Sequence, residues 1–466
     1  MNQRTSHKAL LWIVAVGFFM QTLDATIVNT ALPAIARQLH ASPLAMHTVV
    51  IAYTLTMALL TPASGWLADR FGTRTVYSMS IMLFTVGSLA CANSHSVHQL
   101  VSARVVQGLG ASMLLPIGRM AVLRRISGEQ YIAALAMIAI AGQVGPILGP
   151  ALGGFLSEAL SWNWIFLVNL PIGAVGMVGA WRFLQDDALP MIETFDVVGF
   201  GLISLSMVAF TLGADVPVST HREAWAAGSL ALSIIAALTY IPYARTHTRP
   251  LFKLSLFRER NLSLGLAGNL VCVVGTSAVP FLLPLLFQLQ MGYSPFRSGL
   301  MLLPAAIAGA FTKRNVVPLI KRYGYSTFLL VNTLTMGTSI VGLATIDHGS
   351  PIIITFLLLA VFGASNSMQF AAVLGVMMKG LPASQAGSGN SLLSMTQMLS
   401  VGLGVAVSSS LLRTFSGGVH STLNGFRITF AIVGTITLLS TIMFRRIIEV
   451  RQNPQTAGAQ DIPVGR

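Results

Sequence analysis

Residues 23–33 of the chain read LDATIVNTALP and place one carboxylate, Asp24, inside the first of a long series of apolar segments. A charged side chain near the centre of a bilayer costs at least about 2.5 to 3.5 kcal/mol. An ionisable residue at such a position is therefore a functional-site hypothesis from the outset. The chemistry that it offers is the gain and loss of a proton.

The composition is typical of a membrane protein that crosses the bilayer many times. Of the 466 residues, 54% are hydrophobic and 9% are charged, whereas about a quarter are charged in an ordinary soluble domain. Apolar runs of about 20 residues, the length that crosses the hydrocarbon layer as a helix, recur from end to end. We expect no separate soluble domain.

The apolar runs predict fourteen membrane spans and an all-α fold. In chain order the predicted spans cover residues 9–33, 44–65, 75–93, 99–122, 131–156, 163–184, 197–213, 224–243, 262–289, 298–319, 326–346, 351–378, 389–412 and 425–444. Because the number is even, both termini are expected on the same side of the membrane.

The basic residues predict which side this is. If the N-terminus is cytoplasmic, the loops on the outer side hold five of the 28 Lys and Arg residues, namely Arg37, Arg222, Arg297, Arg413 and Arg427. The positive-inside rule then places both termini in the cytoplasm. The net charge of +14 lies in short loops between apolar runs, so we expect no nucleic acid partner.

A short internal repeat divides the chain into two halves. Residues 67–72 read LADRFG after span 2, and residues 319–324 read LIKRYG after span 10. These loops are equivalent if spans 1–6 and spans 9–14 form two six-helix bundles and spans 7 and 8 form an inserted hairpin. Two repeated bundles with a substrate path between them are a known plan of transporters.

The repeat predicts the following organisation of the chain. Residues 1–190 form the N-terminal six-helix bundle, 191–245 the central two-helix insertion, 246–260 a cytoplasmic basic linker, 261–447 the C-terminal six-helix bundle and 448–466 a cytoplasmic tail. The densest basic cluster, Arg245, Arg249, Lys253, Arg258 and Arg260, lies at the linker. We expect it to anchor the topology at anionic head groups.

Several segments resemble the fourteen-span drug:proton antiporter branch of the major facilitator superfamily. In spans 1–6 they are residues 23–33, 65–74 (GWLADRFGTR), 104–108 (RVVQG), 145–154 (GPILGPALGG) and 162–171 (WNWIFLVNLP). Residues 17–21, 292–296 and 388–395 further resemble an enterobacterial group of multidrug-resistance proteins. The resemblance covers nearly the whole chain and implies the major facilitator fold and export of small molecules in exchange for protons.

Asp24 is the candidate proton carrier, because the other thirteen of the fourteen carboxylates fall in loops, tails or helix ends. Burial disfavours the ionised form of a carboxyl group, which would let Asp24 exchange protons near neutral pH. Arg104 lies near the outer start of span 4, so we expect it to approach Asp24. The resemblance implies that Arg104 assists proton transfer. The alternatives are a helix-packing role for Asp24 and an Arg104 side chain that extends to the membrane interface.

A charged turn between spans 2 and 3 is the candidate gate. Its residues are Asp69, Arg70 and Arg74, together with Gly65 and Gly72. The resemblance implies a conformational latch in which Asp69 faces the N-terminus of span 13 near residues 388–390. A carboxylate gains about 0.3 to 1 kcal/mol at a helix N-terminus, which suits a contact that must release. The alternative is a solvated loop that sets topology.

Span 5 carries the antiporter motif of the resemblance. Its residues are Gly145, Pro146, Gly149, Pro150, Gly153 and Gly154. Small residues let neighbouring helix backbones approach closely, and proline bends a helix, so the pattern predicts a bent, closely packed span. The resemblance implies that this motif is typical of exporters and restricts leakage.

Four uncharged polar residues within spans are candidates for the substrate cavity: Gln21, Gln143, Asn269 and Gln288. Each also suits a role as an interhelical hydrogen-bonding residue. Because the chain has no second deep carboxylate, we expect substrates that are neutral, singly cationic or anionic amphiphiles.

The predicted function is a proton-coupled efflux transporter in the bacterial inner membrane, not an enzyme. The alternatives are an exporter of anionic metabolites such as citrate or metal-citrate chelates, an importer, and a membrane sensor that does not transport. A phosphate-binding Gly-x-x-x-x-Gly-Lys-Ser/Thr segment does not occur in the sequence, which argues against an ATP-driven pump. We expect a monomer in contact with membrane lipids, with small molecules and protons as ligands and with no cofactor or metal.

Overall fold

The computed structural model describes residues 3–126, 129–185, 194–216, 223–378, 381, 383–417 and 422–447. Within these ranges fourteen helices are long and apolar enough to cross a membrane, which confirms the predicted all-α class and number of spans. In chain order they are His7–Gln38, Pro43–Phe71, Thr73–Ala92, Val97–Leu123, Met137–Ala159, Trp164–Phe183, Val197–Ala214, Glu223–Thr246, Arg260–Gln290, Pro295–Tyr323, Tyr325–Leu343, Ile352–Met377, Ser388–Phe415 and Leu423–Phe444. The predicted tail at 448–466 lies outside the described residues.

Several spans differ from single regular helices of the predicted length. Span 1 continues through Pro33 to Gln38, because a proline removes one backbone donor without having to end a membrane helix. The helices of spans 5 and 13 begin before their apolar parts, at Glu129 and Ala383. Five spans consist of several helical segments. Span 2 comprises Pro43–Met46, His47–Leu60, Thr61–Ala63 and Ser64–Phe71, and span 10 comprises Pro295–Met301, Leu303–Thr312, Lys313–Asn315 and Val316–Tyr323. Two segments each form span 6 (Trp164–Leu167 and Asn169–Phe183), span 9 (Arg260–Leu285 and Leu286–Gln290) and span 14 (Leu423–Leu439 and Thr441–Phe444).

The spans form two six-helix bundles and one hairpin, as predicted. In the first bundle, span 1 packs along span 5, span 4 packs against spans 2 and 3, and span 6 packs against spans 1 and 3. In the second, span 9 packs against spans 13 and 14, and span 12 packs against spans 10 and 11. Spans 7 and 8 form the hairpin, and span 7 contacts span 13. The two bundles meet along span 2 with span 13 and along span 5 with span 10.

Burial separates the central spans from the peripheral ones. In span 9, 78% of the most apolar stretch lies inside the protein, whereas in span 8 the share is 17%. The hairpin presents large apolar side chains outward, among them Trp225, Ile234 and Leu238. Side chains of this kind are suited to face lipid, so the hairpin lies at the edge of the protein.

The internal repeat corresponds to one backbone conformation that is used twice. Gly72 and Gly324 have φ angles of 79° and 81° and follow the short helices Ser64–Phe71 and Val316–Tyr323. Glycine adopts such positive φ angles without the steric cost of a side chain. Both glycines therefore allow the chain to turn sharply into the next span.

The two sides of the protein can be named from the chain direction. Because consecutive spans alternate in direction, both ends of the described chain lie on one side, which we call the terminal face. The loops after spans 2 and 10 lie on this face. We call the other side the opposite face.

Candidate functional site

Asp24 lies deep inside the first bundle. Its side chain is fully buried, and it stands fourteen residues before the end of the span 1 helix at Gln38. At 1.5 Å per residue this places it about 21 Å from that end. The longer helix of span 1 therefore puts the carboxylate deeper than the predicted end at residue 33 implied.

Three side chains donate hydrogen bonds to the Asp24 carboxylate. A guanidinium nitrogen of Arg104 lies 2.6 Å from Oδ2, and the amide nitrogens of Gln107 and Asn169 lie 2.7 and 3.0 Å from Oδ1. The predicted approach of Asp24 and Arg104 is confirmed. Three N–H donors stabilise an ionised carboxylate in a site that water does not reach, so this arrangement suits the charged form of Asp24.

Arg104 is held by further contacts in the same bundle. Its side chain is 1% exposed, its Nε donates to the carbonyl oxygen of Val49 at 3.3 Å, and its Nη1 donates to Oε1 of Gln107 at 2.6 Å. Its guanidinium carbon lies 4.0 Å from the ring centroid of Tyr53, within the range of cation–π attraction. The alternative in which Arg104 extends to the membrane interface is wrong, because the carboxylate, a carbonyl and an aromatic ring satisfy the guanidinium inside the bundle.

Gln107 connects this pair to span 3. Its Nε2 also donates to the hydroxyl of Ser88 at 2.7 Å, and a side chain at Gly87 would overlap the backbone of Gln107. We call Asp24, Arg104, Gln107, Asn169 and Ser88 the Asp24 network. Together with Val49 and Tyr53 of span 2, which contact Arg104, the network joins residues of spans 1, 2, 3, 4 and 6.

Sequence reasoning missed part of this network. Gln107 and Asn169 lie inside two of the segments that carry the family resemblance, but no role was predicted for them. Ser88 and Tyr53 belong to no such segment. The signal available for Gln107 was its spacing from Arg104, because residues three apart lie on one face of a helix.

The glycines of span 5 let it pack directly on span 1. Added side chains at Gly145, Gly149 and Gly153 would overlap Thr22, Thr26 and Ile27 of span 1, respectively. The close packing that was predicted for span 5 is confirmed, since backbone meets backbone along this contact. The helix runs through Pro146 and Pro150 without interruption. The predicted restriction of leakage by this motif stays a prediction.

The same motif reaches the second bundle at the opposite face. A side chain at Gly154 would overlap the carbonyl of Pro295, and one at Gly299 would overlap that of Pro150. The Glu158 carboxylate accepts a hydrogen bond from the backbone nitrogen of Phe296 at 3.0 Å. Span 5 and span 10 are therefore in backbone contact there, and the bundles are closed together along this line.

A second connection at the opposite face joins both bundles and the hairpin. Oδ1 of Asp215, at the end of span 7, lies 2.7 Å from Nε2 of His47 in span 2 and 2.9 Å from the guanidinium of Arg413 in span 13. The His47 ring nitrogen is not aligned for a hydrogen bond to this carboxylate. Ser409 of span 13 also donates to the carbonyl of Leu44 in span 2. We call His47, Asp215 and Arg413 the outer clasp.

The candidate gate has a different partner from the one predicted. Asp69 forms an ion pair with Arg124 at the end of span 4, within its own bundle. The helix of span 13 begins at Ala383, upstream of the predicted residues 388–390. The partner found for Asp69 in this conformation is thus the full positive charge of Arg124. The predicted contact of Asp69 with the start of span 13 and the latch itself stay predictions.

The other gate residues have separate surroundings. The guanidinium of Arg70 lies 5.7 Å from the ring centroid of Trp66, and that of Arg74 lies 5.4 Å from that of Trp181. Gly72 has the positive φ described above. Gly65 has only Met120 within 4 Å of an added side chain, so nothing in its surroundings requires glycine.

The four substrate-cavity candidates are not equivalent. Gln288 donates to the carbonyl of Thr30 at 2.8 Å, which joins span 9 to span 1 as an interhelical hydrogen bond. Gln143 donates to a carbonyl of its own helix. Oε1 of Gln21 and Nδ2 of Asn269 are buried and have no hydrogen-bonding partner among the described residues. Gln21 and Asn269 therefore retain free hydrogen-bonding capacity, whereas the Gln288 amide is engaged in a hydrogen bond between the two bundles.

The architecture and the buried pair together define a class of protein. Two repeated six-helix bundles, one of which holds a membrane-embedded ionic network, are the plan of a membrane transporter of small molecules. Residues 14–405 match the family model of the Major Facilitator Superfamily, and the chain belongs to this superfamily. The predicted family and the predicted fold are thus confirmed.

The chain is similar to proteins named multidrug resistance protein MdtD, as its second-half segments indicated. It is 41% identical to the one from Pectobacterium atrosepticum, covering 96% of this chain and 97% of that protein. It is 41% identical to that of Escherichia coli strain 55989 and 42% identical to that of Klebsiella pneumoniae strain ATCC 700721, and both alignments cover 94% of each chain.

Solved structures share the fold at low sequence identity. A peptide transporter POT in complex with sulfate has a TM-score of 0.72 at 14% identity, covering 95% of this chain and 97% of that one. A D-xylose-proton symporter has a TM-score of 0.70 at 14% identity, covering 94% and 97%. These likenesses support the fold alone.

The Asp24 network generates a prediction about stability. Removing one partner of a buried ion pair costs about 3 to 5 kcal/mol, because the other charge stays buried without compensation. We expect Asp24→Asn and Arg104→Gln each to lower the melting temperature of the purified protein, and the double variant to regain much of the loss. Asp347→Asn, which breaks an exposed pair with Arg427, is the control. Losses that simply add in the double variant would contradict the pairing.

The contact of spans 1 and 5 generates a second prediction. A methyl group at Gly145 would lie 2.6 Å from the backbone nitrogen of Leu23, and overpacking of this kind costs about 1 to 3 kcal/mol. Gly145→Ala should therefore lower the melting temperature. Gly65→Ala, whose methyl group meets only Met120 at 3.9 Å, should leave it nearly unchanged. Equal effects of the two changes would rule out the close contact.

Proposed function

We propose that this transporter exports small amphiphilic molecules from the cytoplasm across a bacterial inner membrane in exchange for protons. The observation that carries the proposal is the buried ion pair of Asp24 and Arg104 at the centre of the first bundle. Among the described carboxylates, Asp24 is the one that is fully buried within a membrane span. The names of the MdtD relatives support drug-like substrates.

The proposed cycle depends on the charge of Asp24. Protonation of the carboxylate would leave Arg104 buried without a counter-charge, which is unfavourable in a low-dielectric interior. The protonated form therefore favours a rearrangement in which Arg104 reaches another partner or water. Release of the proton restores the pair and with it the arrangement described above. Alternating access follows if the two arrangements open to opposite faces.

The outer clasp and the contact of spans 5 and 10 supply the closed state of one face. The bundles approach one another there through Asp215 of the hairpin, which lies between His47 of span 2 and Arg413 of span 13, and through the backbones at Gly154 and Gly299. We propose that the terminal face is cytoplasmic, in line with the positive-inside rule, and that the conformation described is closed toward the outside. The two bundles, the central insertion and the linker are proposed at the boundaries predicted from the sequence.

The export of anionic metabolites is not favoured by this site. That alternative relied on the positive charge of Arg104 within the membrane. Arg104 is neutralised by Asp24 at 2.6 Å, so it presents no net charge to a bound anion in this conformation. We therefore propose neutral or singly cationic amphiphiles as substrates, with Gln21 and Asn269 as polar cavity residues.

Proton coupling is tested by transport in proteoliposomes with an imposed pH gradient. We expect Asp24→Asn to abolish gradient-driven transport of a lipophilic monocation such as ethidium, because the side chain no longer carries a proton. Exchange of ethidium in the absence of a gradient should persist, which would show that the variant folds and binds. Asp347→Asn is the control and should transport as the wild type does. Gradient-driven transport by Asp24→Asn at the wild-type rate would refute the assignment of Asp24 as the proton carrier. Transport of citrate by the wild type would support the export of anionic metabolites instead.

The outer clasp generates a conformational prediction. Partly exposed ion pairs contribute about 1 kcal/mol or less, so Asp215→Asn should raise the population open at the opposite face by up to about fivefold. The probe is Ser409→Cys in a background without Cys91 and Cys272, labelled by a membrane-impermeant maleimide. Asp347→Asn removes an ion pair on the same face but within the second bundle, and should leave the labelling rate unchanged. An unchanged rate in Asp215→Asn would exclude a role of the clasp in closure.

A further inference from the structure

A cavity of about 860 Å³ lies at the terminal face, between the hairpin, the linker that follows span 8, and span 13. It is distant from Asp24 and shares no residue with the Asp24 network. Neither the transport proposal nor the outer clasp uses it. Its lining combines basic and apolar groups in separate zones.

The basic zone consists of three side chains at the linker. Arg245, Lys253 and Arg258 line the cavity and are exposed. Across the part of the chain that the structure describes, none of the three has a hydrogen bond or an ion pair. Three positive charges thus border one cavity without an ion pair, since the Asp196 carboxylate in its wall is bonded to Leu251 and Tyr243 instead. Their self-repulsion favours an anion among them.

The apolar zone lies on the membrane side of these charges. It includes Ile203, Met207 and Ala237 of the hairpin and Leu392 and Met395 of span 13. Met207 and Met395 are buried. A soluble anion would leave this zone uncovered, whereas an amphiphile with an anionic head group and a hydrocarbon chain matches both zones.

The walls of the cavity are fixed by hydrogen bonds. The Tyr240 hydroxyl donates to the carbonyl of Phe252 at 2.9 Å and accepts from its nitrogen at 2.8 Å. The Asp196 carboxylate accepts from the backbone nitrogen of Leu251 at 2.8 Å and from the hydroxyl of Tyr243. The linker is therefore fastened to the hairpin, so the basic zone keeps its position beside span 8.

We propose that this cavity binds an anionic phospholipid, with its phosphate at Arg245, Lys253 and Arg258 and an acyl chain along the apolar zone. Basic pockets between membrane helices are suited to lipid head groups, and here the charges lie at the membrane end of spans 8 and 9. The bound lipid bridges the hairpin and its linker to span 13 of the second bundle. It thereby occupies a gap that the protein itself leaves between these two units.

The test measures lipid binding to the purified full chain by native mass spectrometry. Phosphatidylglycerol should bind more tightly than zwitterionic phosphatidylcholine. The triple variant Arg245→Gln, Lys253→Gln, Arg258→Gln should lose this preference, by roughly fivefold in affinity for each cation removed. The matched control is Arg182→Gln, Lys321→Gln, Arg322→Gln, which removes three charges at other sites of the terminal face and should keep the preference.

A second variant separates a lipid from a free anion. Ala237→Phe fills the apolar zone without a change in charge, so it should weaken binding of phosphatidylglycerol and leave that of inorganic phosphate unchanged. Equal binding of both lipids by the wild type, or an unaffected preference in the triple variant, would overturn the proposal. Unchanged lipid binding by Ala237→Phe, with displacement by phosphate, would show an anion site and also overturn it. Because these measurements need neither transport nor a chosen orientation, their failure is distinct from failure of the proposed function.

Discussion

The ion pair of Asp24 and Arg104 is the interaction on which the first bundle depends. Each charge alone would be costly at this depth, and the pair offsets that cost only if the remaining donors and acceptors are also satisfied. Gln107 and Asn169 supply the missing donors to the carboxylate, and the carbonyl of Val49 accepts from the guanidinium. Because these groups come from four spans, the helices cannot shift past one another without breaking at least one charged hydrogen bond. Protonation of Asp24 would therefore disturb contacts that involve most spans of the bundle.

Span 1 connects the Asp24 network to the rest of the protein through its contacts with spans 5 and 9. One of its faces presents Asp24 to the network, and another packs against the glycines of span 5, which contact its backbone and the short side chains of Thr22 and Thr26. Span 5 then meets span 10 in the same way, and Thr30 of span 1 accepts a hydrogen bond from Gln288 of span 9. Contacts of this kind do not deform gradually, since small-residue interfaces either fit or clash. The bundle that holds the Asp24 network is thus packed directly against the other bundle at the opposite face.

The sequence predicted what depends on composition and on short spacing. The fourteen spans follow from hydropathy, the approach of Arg104 to Asp24 follows from their depths in spans 1 and 4, and the close packing of span 5 follows from its glycines. The rest depends on helix rotation and on contacts far apart in the chain. Whether Gln107 faces Asp24 or lipid is a matter of helical phase within a uniformly apolar segment, where hydropathy carries little periodic signal. The family resemblance directed Asp69 to span 13, whereas its pairing with Arg124 depends on the relative positions of two helix ends, which the sequence does not give. Asp215 meets His47 and Arg413 only after the whole chain has folded. The extension of span 1 past Pro33 was missed because proline is a weaker stop signal in a membrane than in water.

The position of the central hairpin shows why an inserted pair of helices can matter although it lies outside both bundles. Spans 7 and 8 expose most of their surface, and span 8 contributes little to the core. Yet the hairpin lies beside span 13 at both faces. At the opposite face Asp215 approaches His47 of span 2 and pairs with Arg413 of span 13, and at the terminal face the linker after span 8 is fastened to the hairpin by Asp196 and Tyr240 beside span 13. Span 13 is thus the element to which the hairpin is bonded at that face, since Arg413 donates to Asp215, whereas His47 lies beside the same carboxylate without an aligned hydrogen bond. If the bundles were to separate at the opposite face, the contact without an aligned hydrogen bond would be the easier one to break. The hairpin would then stay with the second bundle, to which Arg413 binds it.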